Sequence, residues 1–108
     1  MLEPAVLTSV LAYLAAIKAH GIVVECAVVF GSQATGRAHE WSDIDLVVVS
    51  PQFDDMPDRS HFNLLWRLAA RTDSRIEPIP CGSQQWREDD SSAIIEIARR
   101  QGEVLDVA

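Results

Sequence analysis

Two aspartates one residue apart, Asp43 and Asp45, open an otherwise apolar run, DIDLVVVS. In an extended strand side chains alternate faces, so both carboxylates project the same way while Ile44 turns to the opposite side. Their α-carbons then stand about 7 Å apart, from a rise of about 3.3 Å per residue. Two carboxylates that close repel, and no basic residue in the strand offsets them. A divalent cation between them does, and hard oxygen donors suit Mg²⁺, which keeps waters and takes substrate phosphate oxygens as further ligands. Taken bare, the same pattern more often serves a turn, with Asp43 capping beside Ser42 and Asp45 solvated on a half-exposed sheet.

Two further features weigh against the turn. Glu77 sits in another short apolar segment, between Ile76 and Ile79. If that segment pairs beside Asp43–Val49, Glu77 completes a cluster of three carboxylates. Upstream, a Gly-Ser pair, Gly31 and Ser32, directly follows the apolar run IVVECAVVF. Glycine leaves no β-carbon to block close approach, and Ser32 offers an N–H and a hydroxyl to a phosphate oxygen. A helical turn starting there adds N–H groups that favour an anion.

These residues need strands and a turn to hold them. Residues 3–20 carry Val6, Leu7, Val10, Leu11, Leu14 and Ile17 at helical spacing, with Pro4 in the first turn and Gly21 as the stop. Residues 22–30 read as a strand, 31–42 as a polar loop holding one helical turn, and 43–50 as a second strand closed by Pro51. Residues 59–71 form a helix with Phe62, Leu65, Leu68 and Ala69 on one face. Residues 75–81 make a third strand, whose two prolines place it at an edge. Residues 84–100 follow as a helix capped by Ser83, with the polar 87–92 stretch able to divide it. Gly102 ends that helix, and EVLDV supplies a short terminal strand. The class is α/β (α+β): a small mixed sheet of three to four strands covered by helices on one side, in a single domain over residues 1–108.

The remaining candidates have ordinary readings. His20, His39 and His61 show no metal-ligand spacing, and His39 lies nearest the proposed phosphate loop. Trp41, just before the aspartates, reads as a loop aromatic packed on the core, and Trp66 and Trp86 as packing residues on helix faces. Arg99 and Arg100 complement a helix dipole.

Composition bounds the function. The 108 residues carry 16 acidic and 9 basic side chains, a net charge of −7. That balance disfavours non-specific nucleic-acid binding, which depends on neutralising many phosphates. With 48% apolar and 23% charged residues the chain is an ordinary globular one. Cys26 and Cys81 have no metal-site spacing and read as two thiols in a reducing compartment. No apolar run approaches the length of a membrane span, and the start lacks the pattern of a secretory signal, so a cytoplasmic protein is expected.

The segment GSQATGRAHEWSDIDLVVV resembles the signature of the nucleotidyltransferase fold of the DNA polymerase β superfamily. Short length and the SDIDL ending are most similar to the minimal nucleotidyltransferase domains of bacteria and archaea. The resemblance implies that Gly31 and Ser32 hold the terminal phosphates of a nucleoside triphosphate, ATP being the expected substrate. It further implies that Asp43 and Asp45 ligate Mg²⁺ and that Glu77 binds a second metal or acts as base. Thr35 stands where many members carry an arginine, and Arg37 is the nearest replacement for its contact with phosphate. Some members modify a HEPN-domain toxin as antitoxins. So short a chain leaves half of any acceptor pocket to a partner protein or a second copy. The competing expectation is a non-catalytic nucleotide- or partner-binding subunit, which Thr35 favours and the three carboxylates oppose.

Overall fold

The computed structural model describes residues 2–39, 41–54 and 59–107. Helix α1 (Pro4–Ala19) leads to β1 (Cys26–Phe30), a single-turn helix α2 (Ser32–Thr35) and β2 (Ile44–Ser50). After a 3₁₀ turn at Pro51–Phe53 come α3 (Arg59–Thr72), β3 (Ile76–Gly82), α4 (Ser83–Glu88), α5 (Ala93–Gln101) and β4 (Glu103–Leu105). The sheet order is β3-β2-β1-β4, with β1 antiparallel to β2 and to β4, and β2 parallel to β3. The mixed α/β class and the edge position of β3 are thus as the sequence implies. The first strand is shorter than the apolar run: Ile22 and Val24 are buried ahead of it, but pairing with β2 begins at Cys26.

Helices cover both faces of the sheet, not one. On the first face, α1 and α3 pack Val10, Tyr13, Ile17 and Leu65 onto Val29, Ile44, Leu46, Val48 and Ile76. On the second, Ile95 and Ala98 of α5 and Trp86 of α4 meet Val28, Phe30, Val47, Val49 and Cys81. The continuous apolar run of β2 is the signature of a strand buried on both sides. Tyr13 fastens the first layer by donating its buried hydroxyl to the carbonyl of Leu65 at 2.9 Å.

The division that the polar 87–92 stretch allowed is realised, while the readings of Ser83, Phe62 and Trp66 are corrected. The helix expected over 84–100 is divided, because Asp89 turns its carboxylate onto the N–H of Ser91 at 2.8 Å and Ser92 caps α5 through the N–H of Ile95. Arg99 then spans the break, donating to the carbonyls of Trp86 at 2.9 Å and Gln85 at 3.0 Å, so it is structural through these bonds rather than through the dipole. Ser83 does not cap α4: its buried hydroxyl has no partner among the described residues, and Asp54 accepts from the N–H groups of Gln84 and Gln85 at 3.0 and 3.2 Å instead. Phe62 and Trp66 leave the core and are 47% and 41% exposed, since Leu65, Leu68 and Ala69, with half-buried Leu64, fill the space beneath α3. The thiols are free, Cys81 buried and Cys26 half-buried, with burial pushing Cys81 up to about 12. No helix among the described residues is long and apolar enough to cross a membrane.

Candidate active site

The end of β1 and the start of β2 are adjacent because these strands are antiparallel, and the parallel β3 starts at the same end of the sheet. Register places Phe30 beside Asp45 on one side and Glu77 beside Asp45 on the other. Asp45 alternates with Val47 and Val49, so it projects on the α5 side, and Glu77 follows Ile79 and Cys81 to the same face. Asp43 lies just before β2, exposed, and in charge contact with both. The three carboxylates proposed from spacing are therefore brought together.

Burial, and next the charge of Asp43, raise the pKa of Asp45, while a hydrogen bond with Glu77 acts in the opposite sense. Burial also raises Glu77, reinforced by the charges of Asp43 and Asp45. Among the described residues no three side chains are already spaced to enclose a metal ion; these carboxylates lie close enough for the charge of each to act on its neighbours. All three side chains offer oxygen donors, and among the described residues no guanidinium or ammonium is paired with them. That donor set fits a hard divalent cation, which would supply the neutralising charge the cluster lacks.

Gly31 closes the site from the β1 side. Its backbone lies at φ +73°, ψ −148°, a region that side chains other than glycine's rarely enter. A β-carbon there would stand 2.3 Å from Oδ2 of Asp45. The Gly-Ser turn is thus pressed directly onto the carboxylate cluster, with half-buried Ser32 opening α2. The Gly31 carbonyl accepts from the N–H groups of Ala34 and Thr35, and from the Thr35 hydroxyl at 3.2 Å. Thr35 therefore spends its hydroxyl on its own turn. Arg37 and His39 are exposed on the following loop, and Trp41, expected to pack on the core, is 78% exposed.

Gln33 was not singled out by the sequence. It is 7% exposed, and its Nε2 donates to the carbonyls of Ser42 and Asp43, each at 3.4 Å. The amide ties the Gly-Ser turn to the backbone carrying the first aspartate. The Asp73–Arg75 fork, with bonds of 3.1 and 2.8 Å, sits on the far side, and the Arg75 carbonyl accepts from the N–H of Ile44 at 2.8 Å. That bond sets the register which puts Glu77 opposite Asp45. A cleft of about 200 Å³ lined by Glu3, Gln33, His39 and Arg75 opens behind the turn, and none of the three carboxylates lines it.

A Gly-Ser turn seated on an Asp-x-Asp pair, with a third carboxylate on the neighbouring parallel strand, is the geometry on which comparison with known proteins bears. The profile of the nucleotidyltransferase domain family matches residues 14–104. The chain belongs to that family. This nucleotidyltransferase shares its fold with a protein from Sulfolobus solfataricus assigned to the nucleotidyltransferases, at TM-score 0.66 and 15% identity over 93% of this chain and 78% of the other. It also matches a chain of a toxin–antitoxin structure with AMP-PNP, at TM-score 0.58 and 23% identity over 86% and 69% of the two chains. A mutant of the toxin–antitoxin MntA-HpeT aligns at TM-score 0.58 and 19% identity, over 90% and 69%. A search of curated proteins gives no match.

Proposed function

We propose that this nucleotidyltransferase transfers AMP from ATP to a hydroxyl on a partner protein, with Asp43, Asp45 and Glu77 as its Mg²⁺-binding and catalytic residues. The observation that carries the reading is the contact of Gly31 with Asp45, which joins a phosphate-sized turn to the carboxylate cluster without room for a side chain between them. Among fold relatives, one structure is described with AMP-PNP. Another carries aspartate-to-glutamate replacements at two positions separated by one residue, the spacing of Asp43 and Asp45.

In this reading Gly31 and Ser32 orient the β- and γ-phosphates through backbone N–H groups and the serine hydroxyl, and Arg37 reaches over them from the loop. The carboxylates would hold Mg²⁺, which would supply neutralising charge to the phosphate oxygens. Glu77, its pKa raised by burial and by its neighbours, accepts the proton of the acceptor hydroxyl. The acceptor oxygen bonds to the α-phosphorus, the bond to the β-phosphate bridging oxygen breaks, and pyrophosphate leaves. We assign the acceptor to a partner protein, a HEPN-domain toxin being the preferred class, because the cleft behind the turn is lined by none of the three carboxylates and two of the fold relatives are toxin–antitoxin proteins. A second copy of the chain is the other available source of that wall.

A second reading, a binding subunit without turnover, is favoured by one observation: the Thr35 hydroxyl is turned onto Gly31 and brings no charge to the phosphates. Incubation with Mg²⁺ and ATP labelled at the α- or the γ-phosphate, with and without a candidate partner, separates the two. Transfer of the α-label to protein with the γ-label released in pyrophosphate supports the enzyme. Binding without release of pyrophosphate supports the subunit.

A further inference from the structure

Helix α3 carries its positive charge in one row. Arg59, Asn63, Arg67 and Arg71 follow one another at i, i+4 spacing and are all exposed. Parallel to that row run Phe62, Trp66 and Ala70, also exposed, with the Phe62 and Trp66 rings 6.3 Å apart. The helix has no acidic residue in its 14 positions, in a chain whose net charge is −7. Elsewhere Arg75, Arg87, Arg99 and Arg100 each pair with a carboxylate. Arg59, Arg67 and Arg71 have no such pair among the described residues. Arg67 and Arg71, like charges four apart on the helix, repel and so weaken the helix that bears them.

We propose that the outer face of α3 is the docking surface for a protein partner presenting an apolar helical stripe flanked by carboxylates. This rests on the reading that the acceptor lies on a partner protein. Partly exposed aromatic side chains beside arginines have the composition of an interface centre, and incoming carboxylates would relieve the repulsion along the arginine row. The face is not self-complementary: a two-fold contact of α3 with its own copy would set arginine against arginine with no acid between. Nucleic acid is disfavoured by the acidity of the rest of the chain. Position agrees as well, because α3 ends at Thr72 and Glu77 follows five residues later, at the second position of β3. The C-terminal end of the arginine row thus lies at the end of the sheet where β3 begins. Helix α3 covers the face opposite to the one on which Asp45 and Glu77 project, so a partner seated there has to reach round that end to present its acceptor.

The test is an NMR titration of the ¹⁵N-labelled full chain, without nucleotide. The probe is a helical peptide of about 20 residues bearing a leucine stripe flanked by glutamates, and its control has lysines in place of the glutamates. The acidic peptide is expected to shift the amide signals of Phe62–Arg71 with a dissociation constant in the tens of micromolar. The affinity should fall about tenfold or more in R67E/R71E and in Trp66→Ala, an exposed site whose fold is checked by circular dichroism. Asp43→Asn/Asp45→Asn should bind like the unsubstituted chain. Equal binding of the lysine peptide, or no shift on α3, overturns the proposal. So does an oligouridylate that shifts the same signals more tightly, or a dimer in sedimentation that R67E/R71E dissociates. Since nucleotide is absent, failure here leaves the transfer reading intact, and failure of transfer leaves this titration unaffected.

Discussion

Gly31 and Asp45 are in contact such that no side chain can stand between them: a β-carbon on Gly31 would lie 2.3 Å from the carboxylate oxygen Oδ2. The glycine is required twice, once for its positive φ and once for the space. Gly31→Ala is expected to lower transfer by at least about a hundredfold, since displacing a reacting group by about 1 Å has that effect. Stability should fall by about 1–3 kcal/mol from the strained backbone. Steady-state pyrophosphate release and a denaturant melt measure the two separately. A fully active alanine variant would show that turn and carboxylate act independently.

Gln33 joins the turn to the main chain at Asp43 from a buried position. Gln33→Met keeps its length and removes both donated bonds. The Mg²⁺ concentration for half-maximal activity should rise several-fold with only a small loss in melting temperature. Calorimetric titration with Mn²⁺ should show the same weakening without turnover. A variant that merely melts earlier, with metal affinity unchanged, would assign the glutamine to stability alone.

Asp45 and Glu77 carry folded-state pKa values raised above those of the unfolded chain. Their contribution to stability is therefore full below the unfolded values and is lost as pH rises through the raised ones. At neutral pH the metal-free fold bears the cost of burying them as charged groups, with the repulsion from Asp43 added. Asp45→Asn should raise the melting temperature of the metal-free protein at pH 7, and the difference should vanish near about pH 3, where the carboxyl is protonated in both states. Mg²⁺ should stabilise the unsubstituted protein and act less on the variant. Scanning calorimetry at both pH values, with and without metal, reads all of this.

Asp73 has the opposite sign. Its side-chain bond from Arg75 holds the carboxyl down to about 2. Its contribution is present above the unfolded value and is lost as pH falls toward the folded one. Because both side chains keep some exposure, 14% and 31%, the worth is about 1–2 kcal/mol after allowing for solvent screening. Asp73→Asn should cost that amount at pH 7 and much less near about pH 2. Chemical denaturation across that window measures it.

Much of the site was legible because its chemistry is local. The Asp-x-Asp pair follows from strand alternation, and Gly31–Ser32 from its place after an apolar run. Glu77 needed only the parallel pairing of β3 with β2. Gln33 escaped because a glutamine in a polar loop carries no mark of burial. Asp54 escaped because it caps α4 from 30 residues away. Covering on both faces was readable in principle: β1 is apolar throughout and β2 is apolar over Leu46–Val49, whereas a sheet covered once alternates. Phe62 and Trp66 share the helical period of the buried residues, and only the width of the sheet beneath α3 decides that Leu65, Leu68 and Ala69 fill the space without them.

The central claim is that the carboxylates and the Gly-Ser turn form one site for a metal-bound nucleotide. Isothermal titration with a non-hydrolysable ATP analogue, with Mg²⁺ present or chelated, tests it most directly in the unsubstituted chain and in Asp43→Asn/Asp45→Asn. Binding should require Mg²⁺ in the unsubstituted chain, and the double variant, still folded by circular dichroism, should lose that requirement together with at least about a hundredfold in affinity, about 2.7 kcal/mol. Equal binding by the two proteins, or binding indifferent to Mg²⁺, would contradict the account.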